Sequence, residues 1–306
     1  LDPAAGARRD LSLVDGESPS AMKETIASQP VPGPALEPAA RAELFDGVLK
    51  GLAWFYRDDA LEAERRALAG SALEAGAHAS AAEAALGRFA ARAPSPFARR
   101  LAEECAARPR LELENFINRG QMASKRWLLD ELHAAVGAEL GTVFVLGGWF
   151  GALSALILED PRFRAERIVS FDIDPDATAT AERLNRHYVA NEERFRAATA
   201  DLRELDLRET VYRVAGPAGL EERRAKPGLV INTSCEHFER FGEWFASIPA
   251  GVTLVLQSND YYSEPTHVNC VPDLEAFARQ APMSRVLRRG TLATKKYNRF
   301  MLIGVK

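Results

Sequence analysis

Val143-Phe144-Val145-Leu146-Gly147-Gly148-Trp149-Phe150-Gly151-Ala152 passes from an apolar run to a glycine-rich turn and on into a helix that reaches about Leu158. A short run of β-branched and aromatic residues followed by glycines and a helical pattern reads as a strand, a glycine-rich turn and a helix. The apolar stretch Val143 to Leu158 is shorter than the ~20 residues that cross a bilayer, and three glycines interrupt it. It is therefore read as part of a water-soluble α/β unit, with no membrane partner expected.

Downstream, Ile168 to Phe171 reads as a second strand, and Asp174-Pro175 opens the next helix, whose buried stripe is Ala177, Ala181, Leu184 and Tyr188. Strand signals recur at Phe195 to Ala200, Leu229 to Asn232 and Thr253 to Gln257. A helix carrying Phe238, Phe241, Phe245 and Ile248 lies between the last two. Alternating strands and helices imply a parallel sheet covered on both faces. Ser284 to Thr294 and Asn298 to Lys306 are strands with a short connection, which forces antiparallel pairing.

Upstream, a helix is expected from Gln121 to Leu140, with Leu128, Leu132 and Val136 on one face. Polar residues at its start, Gln121, Ser124 and Lys125, are candidates to reach a ligand. Residues 36–120 are rich in Ala, Glu, Arg and Leu; Leu44, Val48, Leu52 and Phe55 recur at helical spacing, and Ala-rich runs suit close helix packing. This region is expected to be an all-helical lid, a homodimer surface or a substrate platform. Residues 1–35, with Pro30, Pro32 and Pro34 and no sustained periodicity, read as a flexible arm. The third division, 121–306, is the ligand-binding unit.

In open parallel sheets ligands sit beyond the carboxyl ends of the strands, so the residues that follow strands are the ones that matter. Gly147, Gly148 and Gly151 let backbone approach a ligand. Asp172, at the end of the second strand, is placed to accept hydrogen bonds from both hydroxyls of a ribose. These two segments, Val143 to Ser154 and Ser170 to Leu184, resemble the first two motifs of the class I S-adenosylmethionine (SAM)-dependent methyltransferases, and the resemblance covers about Gln121 to Lys306. It implies a Rossmann-like seven-stranded sheet, with parallel strands plus a C-terminal antiparallel hairpin, and SAM as cofactor. Asp201 matches the third motif, which commonly contacts the adenine amino group.

Two departures from the family pattern stand out. Val145 replaces the usual acid of the first strand, and Trp149 replaces the middle glycine of the turn. An indole there would face a sulfonium with an attraction of about 0.5–2 kcal/mol; the plainer role is packing of the first helix onto the sheet.

Polar runs follow the fourth and fifth strands: Asn232-Thr233-Ser234-Cys235-Glu236-His237, then Gln257-Ser258-Asn259-Asp260-Tyr261-Tyr262 and on to His267 and Cys270. Such density at the ligand end of the sheet marks catalytic candidates. Glu236, His237 and His267 are candidate general bases. Asn259 and Asn232 can orient an amino or carboxylate group, Ser234 lies beside the cofactor, and Tyr261 can wall the pocket. Cys235-x-His237 with His267-x-x-Cys270 has a zinc-like composition, but C-x-H is tighter than the usual ligand pairing, and no metal is expected.

Three functions fit. Methyl transfer to an N or O nucleophile of a small molecule is the fold's commonest use. Attack of SAM's own amine on its γ-carbon would yield azetidine-2-carboxylate and methylthioadenosine; the layout is similar to the azetidine-2-carboxylate synthases. A non-catalytic SAM or nucleotide sensor is the third. A net charge of -4 argues against a nucleic-acid partner. Three dispersed cysteines and the lack of a basic-then-apolar leader pattern suit a cytoplasmic location.

Overall fold

The structure is a computed structural model that describes residues 36–190, 193–216 and 218–306. The expected arm, residues 1–35, lies outside them. Six helices come first: α1 (Pro38–Tyr56), α2 (Asp59–Ala69), α3 (Ala75–Arg92), α4 (Pro96–Ala107), α5 (Glu112–Ile117) and α6 (Arg119–Val136). The α/β part follows as β1 (Glu139–Leu146), α7 (Ala152–Glu159), β2 (Arg164–Asp172), α8 (Pro175–Leu184), α9 (Arg186–Ala190), β3 (Phe195–Thr199), β4 (Thr210–Gly216), β5 (Gly219–Ala225) and β6 (Leu229–Asn232). A one-turn 3-10 helix, Cys235–His237, leads to α10 (Phe241–Ser247), β7 (Thr253–Asn259), α11 (Leu274–Gln280), β8 (Arg285–Ala293) and β9 (Asn298–Val305).

Seven strands form one sheet in the order β3-β2-β1-β6-β7-β9-β8. β1, β2, β3, β6 and β7 pair in parallel, and β9 lies antiparallel to both β7 and β8. The expected terminal hairpin is therefore present, with its second strand lodged inside the sheet.

Side-chain alternation divides the core into two layers. Val143 and Val145 of β1, Ile168 of β2, Ile231 of β6 and Ile303 of β9 face α6, α7, α8 and the N-terminal helices. Phe144, Leu146, Val169, Phe171, Leu254 and Leu302 face the other way, onto α10, α11 and the β4–β5 hairpin. Each such fully buried Leu, Ile, Val or Phe contributes roughly 1.5–3 kcal/mol relative to exposure. Residues of α1, among them Leu44, Phe45, Val48 and Leu52, belong to the same buried cluster as β1, so apolar packing is continuous from the first helix to the sheet.

Four readings of the chain differ from what is observed. The helix expected to carry Phe238 begins only at Phe241, and the one whose stripe was expected to reach Tyr188 breaks at Asn185 into α8 and α9. The helix expected to run from Gln121 to Leu140 stops at Val136, because Gly137 takes a positive φ of 87° and Glu139 and Leu140 already belong to β1. Asn118 caps its start, accepting from Gln121 N at 2.9 Å. Between β3 and β6 the antiparallel pair β4–β5 was not expected; Tyr212 and Val214 bury against the sheet, and the Tyr212 ring lies 5.7 Å from that of Phe171. Among the described residues no helix is long and apolar enough to cross a membrane.

Candidate functional site

The strand order just described, five parallel strands with a reversed strand inserted beyond them, is that of the class I SAM-dependent methyltransferase fold. Its order reverses between β1 and β6, so the ligand crevice opens where the loops after those strands meet. At that point Gly147 has a φ of 65°, and a Cβ there would stand 3.2 Å from Ser234 Oγ. Gly148 is tighter still: a Cβ would stand 1.9 Å from Ser170 Oγ. Gly151, also at positive φ, begins α7.

Trp149, between these glycines, has a φ of 48°, a left-handed conformation that costs a non-glycine residue roughly 1–2 kcal/mol. Two things hold it. Its N–H donates to Asp172 Oδ2 at 2.8 Å, and its indole packs edge-on against Phe116 of α5 at 5.6 Å and beside Phe150 at 5.0 Å. Asp172 Oδ1 accepts in turn from Asp174 N at 3.2 Å. Asp172 is half-buried, and each of its oxygens keeps a lone pair beyond these bonds. The next residue, Ile173, is 65% exposed, an apolar surface beside the carboxylate that the sequence reading overlooked. Asp201, after β3, accepts from Arg203 N at 2.9 Å, and the Arg203 guanidinium beside it holds its carboxyl below the usual range.

After β6 the chain turns sharply. Asn232 is fully buried; its Oδ1 accepts from Ser234 N at 2.9 Å, while its Nδ2 has no partner among the described residues. Glu236, 2% exposed, sits in the 3-10 turn. Its Oε1 accepts from Asn259 Nδ2 at 2.6 Å and from Arg299 at 3.4 Å, and its Oε2 has no partner among the described residues. Asn259, the last residue of β7, thus orients a carboxylate belonging to the protein, while its Oδ1 accepts from Tyr261 N at 2.9 Å.

His237 and His267 converge from segments thirty positions apart, with ring centroids 4.7 Å from each other and planes nearly perpendicular. His237 Nδ1 lies 3.0 Å from Thr266 O and His267 Nδ1 lies 3.0 Å from Tyr261 O. A carbonyl only accepts, so both imidazoles carry hydrogen on Nδ1, which in the neutral ring leaves Nε2 as the acceptor. Tyr261 flanks His267 at 5.9 Å and stacks on Tyr297 at 5.2 Å.

Ligand atoms of Glu236, His237 and His267, one from each, lie within 4.8 Å of one another. The four-residue set suggested by Cys235, His237, His267 and Cys270 does not assemble. Cys235 is buried with its Sγ 3.6 Å from Asn232 O, and burial, followed by the charge of Glu236, raises its thiol pKa well above the ordinary value.

Arg299 was not singled out from sequence. It is opposite Asn259 in the β7–β9 register, is almost buried, and donates to Thr233 O at 3.0 Å as well as bridging to Glu236. At the start of α6, Ser124 donates to Gln257 Oε1 at 3.1 Å and Lys125 to Gln121 Oε1 at 3.0 Å. Burial, and then the charge of Arg299, pulls the Lys125 pKa down to about 7. A larger hollow of about 600 Å³ lies among α1, α2 and α3, lined by residues such as Glu43, Asp46, Lys50 and His78. None of the candidate residues lines it, and it is far in sequence from the strand ends.

No family model matches the chain, and no curated protein matches it. Solved structures do. The N-methyltransferase NodS from Bradyrhizobium japonicum is similar at 13% identity over 62% of this chain and 98% of that one, with a TM-score of 0.45. Magnesium protoporphyrin IX methyltransferase from Synechocystis, with bound SAH, is similar at 16% identity over 63% and 87%, TM-score 0.44. A putative sarcosine dimethylglycine methyltransferase from Galdieria sulphuraria is similar at 10% over 61% and 86%, TM-score 0.42. The assignment of the fold rests on the strand order itself.

Proposed function

We propose that the protein binds SAM across the β1 and β2 loops and transfers its methyl group to a nitrogen or oxygen of a small molecule. The observation that carries this reading is the pair of buried polar atoms without partners, Asn232 Nδ2 and Glu236 Oε2, at the crevice edge where the strand order reverses. A buried polar group left unpaired costs about 1–3 kcal/mol, so such atoms are retained where a ligand satisfies them.

In this reading the nucleoside lies beside Ile173, its ribose hydroxyls donate to Asp172, and its adenine amino group reaches Asp201. The methionine portion crosses Gly147, Gly148 and Gly151 toward Ser234, and Asn232 Nδ2 donates to its carboxylate. The acceptor enters over Tyr261. The lone pairs of Glu236, His237 and His267 stand where the acceptor's proton must be removed or its nucleophilic atom held. The acceptor atom attacks the methyl carbon in line with the sulfur, the C–S bond breaks, and S-adenosylhomocysteine leaves; positioning supplies most of the acceleration.

One observation favours a second reading, intramolecular cyclisation of SAM. Phe116 of α5 packs edge-on against Trp149 at 5.6 Å, and Arg110 of the helical layer pairs with Asp176 and donates to Thr180 of α8 at 2.6 Å, so the helices are tied to the turn where SAM is proposed to lie. Helices held against that turn would favour a reaction that needs no second substrate. Incubation with SAM alone, followed by mass spectrometry, separates the two readings. Methyl transfer predicts no turnover until an acceptor is added; methylthioadenosine together with azetidine-2-carboxylate from SAM alone would refute it. SAM bound at the crevice and left unchanged by a broad panel of acceptors would point to a sensor.

A further inference from the structure

The geometry points to a divalent first-row transition-metal site made by Glu236, His237 and His267, with open positions toward the acceptor. The inference deepens the reading of the acceptor end of the crevice but does not depend on SAM being the cofactor.

Each of the three side chains has the same design. One of its two ligand atoms is tied to the protein and the other is left without a partner among the described residues. His237 Nδ1 donates to Thr266 O and His267 Nδ1 to Tyr261 O, each at 3.0 Å. Glu236 Oε1 is held by Asn259 at 2.6 Å and by Arg299 at 3.4 Å, and its buried Oε2 has no partner. An imidazole that gives its Nδ1–H to a carbonyl is fixed in the tautomer and orientation that metal ligation needs, and the same holds for a carboxylate hydrogen-bonded on its other oxygen. Arg299 donates to Oε1, so its positive charge positions Glu236 and Oε2 is left without a partner among the described residues.

Bonds of about 2.0–2.2 Å to a tetrahedral ion place ligand atoms about 3.3–3.5 Å apart. Ligand atoms of the three residues, one from each, lie within 4.8 Å of one another, so a shift of roughly an ångström, taken up by the three side chains and the loops that carry them, closes the site. Two imidazoles and one carboxylate select zinc, cobalt or iron(II) over magnesium or calcium, whose preferred ligands are all oxygen. Three protein ligands leave positions free, which is the pattern of a site that binds a substrate group. An acceptor oxygen or amine bound there would be held beside the methyl group, and coordination would lower its pKa; no change of metal oxidation state is involved.

The test uses the full-length chain, stripped with chelator and titrated with Co²⁺, followed by visible absorption and by competition with Zn²⁺ and Mg²⁺. One Co²⁺ per chain, with the d–d band of a four- or five-coordinate ion, displaced by Zn²⁺ but not by Mg²⁺, is expected. His237→Ala, at an exposed position that folding tolerates, and His267→Ala should each weaken binding at least 100-fold with unchanged circular dichroism. Asn259→Ala, which removes only the support of Glu236, should weaken it by about 10–100-fold. No saturable binding, binding that survives both histidine substitutions, or equal competition by Mg²⁺ would overturn the assignment. Calorimetry with S-adenosylhomocysteine on the stripped protein reads the cofactor crevice separately, so either proposal can fail alone.

Discussion

Replacing Asp172 should separate a structural debt from a binding one. Its Oδ2 accepts the Trp149 N–H at 2.8 Å and its Oδ1 accepts Asp174 N at 3.2 Å. A hydrogen bond to a charged group contributes about 1.5–3 kcal/mol, and the shorter of these two secures a residue already held at a φ of 48°. Asp172→Ala should therefore lower unfolding free energy by about 1.5–3 kcal/mol, read from urea denaturation. If two ribose hydroxyls also donate to this carboxylate, the same substitution removes two more charged bonds from the complex, about 3–6 kcal/mol in all, or roughly a 10²–10⁴-fold rise in Kd. Asp172→Asn keeps one acceptor oxygen and the side-chain shape, so both losses should be smaller. The assay is calorimetric titration with S-adenosylhomocysteine, which binds without reacting, at a temperature where all three proteins are folded. Should the Ala variant bind within threefold of the wild type while showing the stability loss, the carboxylate serves the turn alone and the ribose lies elsewhere.

Gly148→Ala brings a methyl group to 1.9 Å from Ser170 Oγ, so it should destabilise by about 1–3 kcal/mol, with part of the loss recovered by adding Ser170→Gly; an additive double mutant would show that the two do not meet. Phe116→Ala removes a 1% exposed ring that touches Phe97, Trp149 and Phe150, and a loss of about 3–5 kcal/mol is expected in urea titration, whereas a loss under about 1 kcal/mol would mean the helices pack loosely on the glycine turn. Lys125 has its native pKa near 7 against an ordinary 10.5, so between those values the unfolded chain holds a proton the native chain has released. Stability should rise with pH across that window, by at most about 1.4 kcal/mol per pH unit from this group, while below pH 7 both states are protonated and the penalty is full. Lys125→Met should flatten that rise in urea melts at pH 7 to 9.5, and an unchanged slope would sink the assignment.

Period and punctuation, read from the chain alone, determined most of the α/β layout. β6 occupies the expected Leu229–Asn232, and β1, β3, β7 and β9 fall within a few residues of expectation, because a strand buried on both faces must be largely apolar wherever the chain lies in the sheet; β8, an exposed edge strand, was legible from its short connection to β9. The glycine turn and Asp172 were legible because both stand at strand ends: Gly147 takes a positive φ beside Ser234, Gly148 packs on Ser170, and Asp172 closes β2. The β4–β5 hairpin was written less plainly. Thr210, Tyr212 and Val214 do alternate with exposed neighbours, but their partner strand, Leu220-Glu221-Glu222-Arg223-Arg224, carries charge where an apolar period would have announced it.

Only the tertiary structure decided how the residues after β6 and β7 come together. Nothing local in the chain states that His237 and His267 stand ring to ring, or that Asn259 holds Glu236 and not a substrate, since those contacts depend on how the loop after β7 folds back over the 3-10 turn. Arg299 reads in sequence as one polar residue opening an apolar strand. It becomes part of the site because the β7–β9 register sets it opposite Asn259, and register is a property of two paired strands that neither carries by itself.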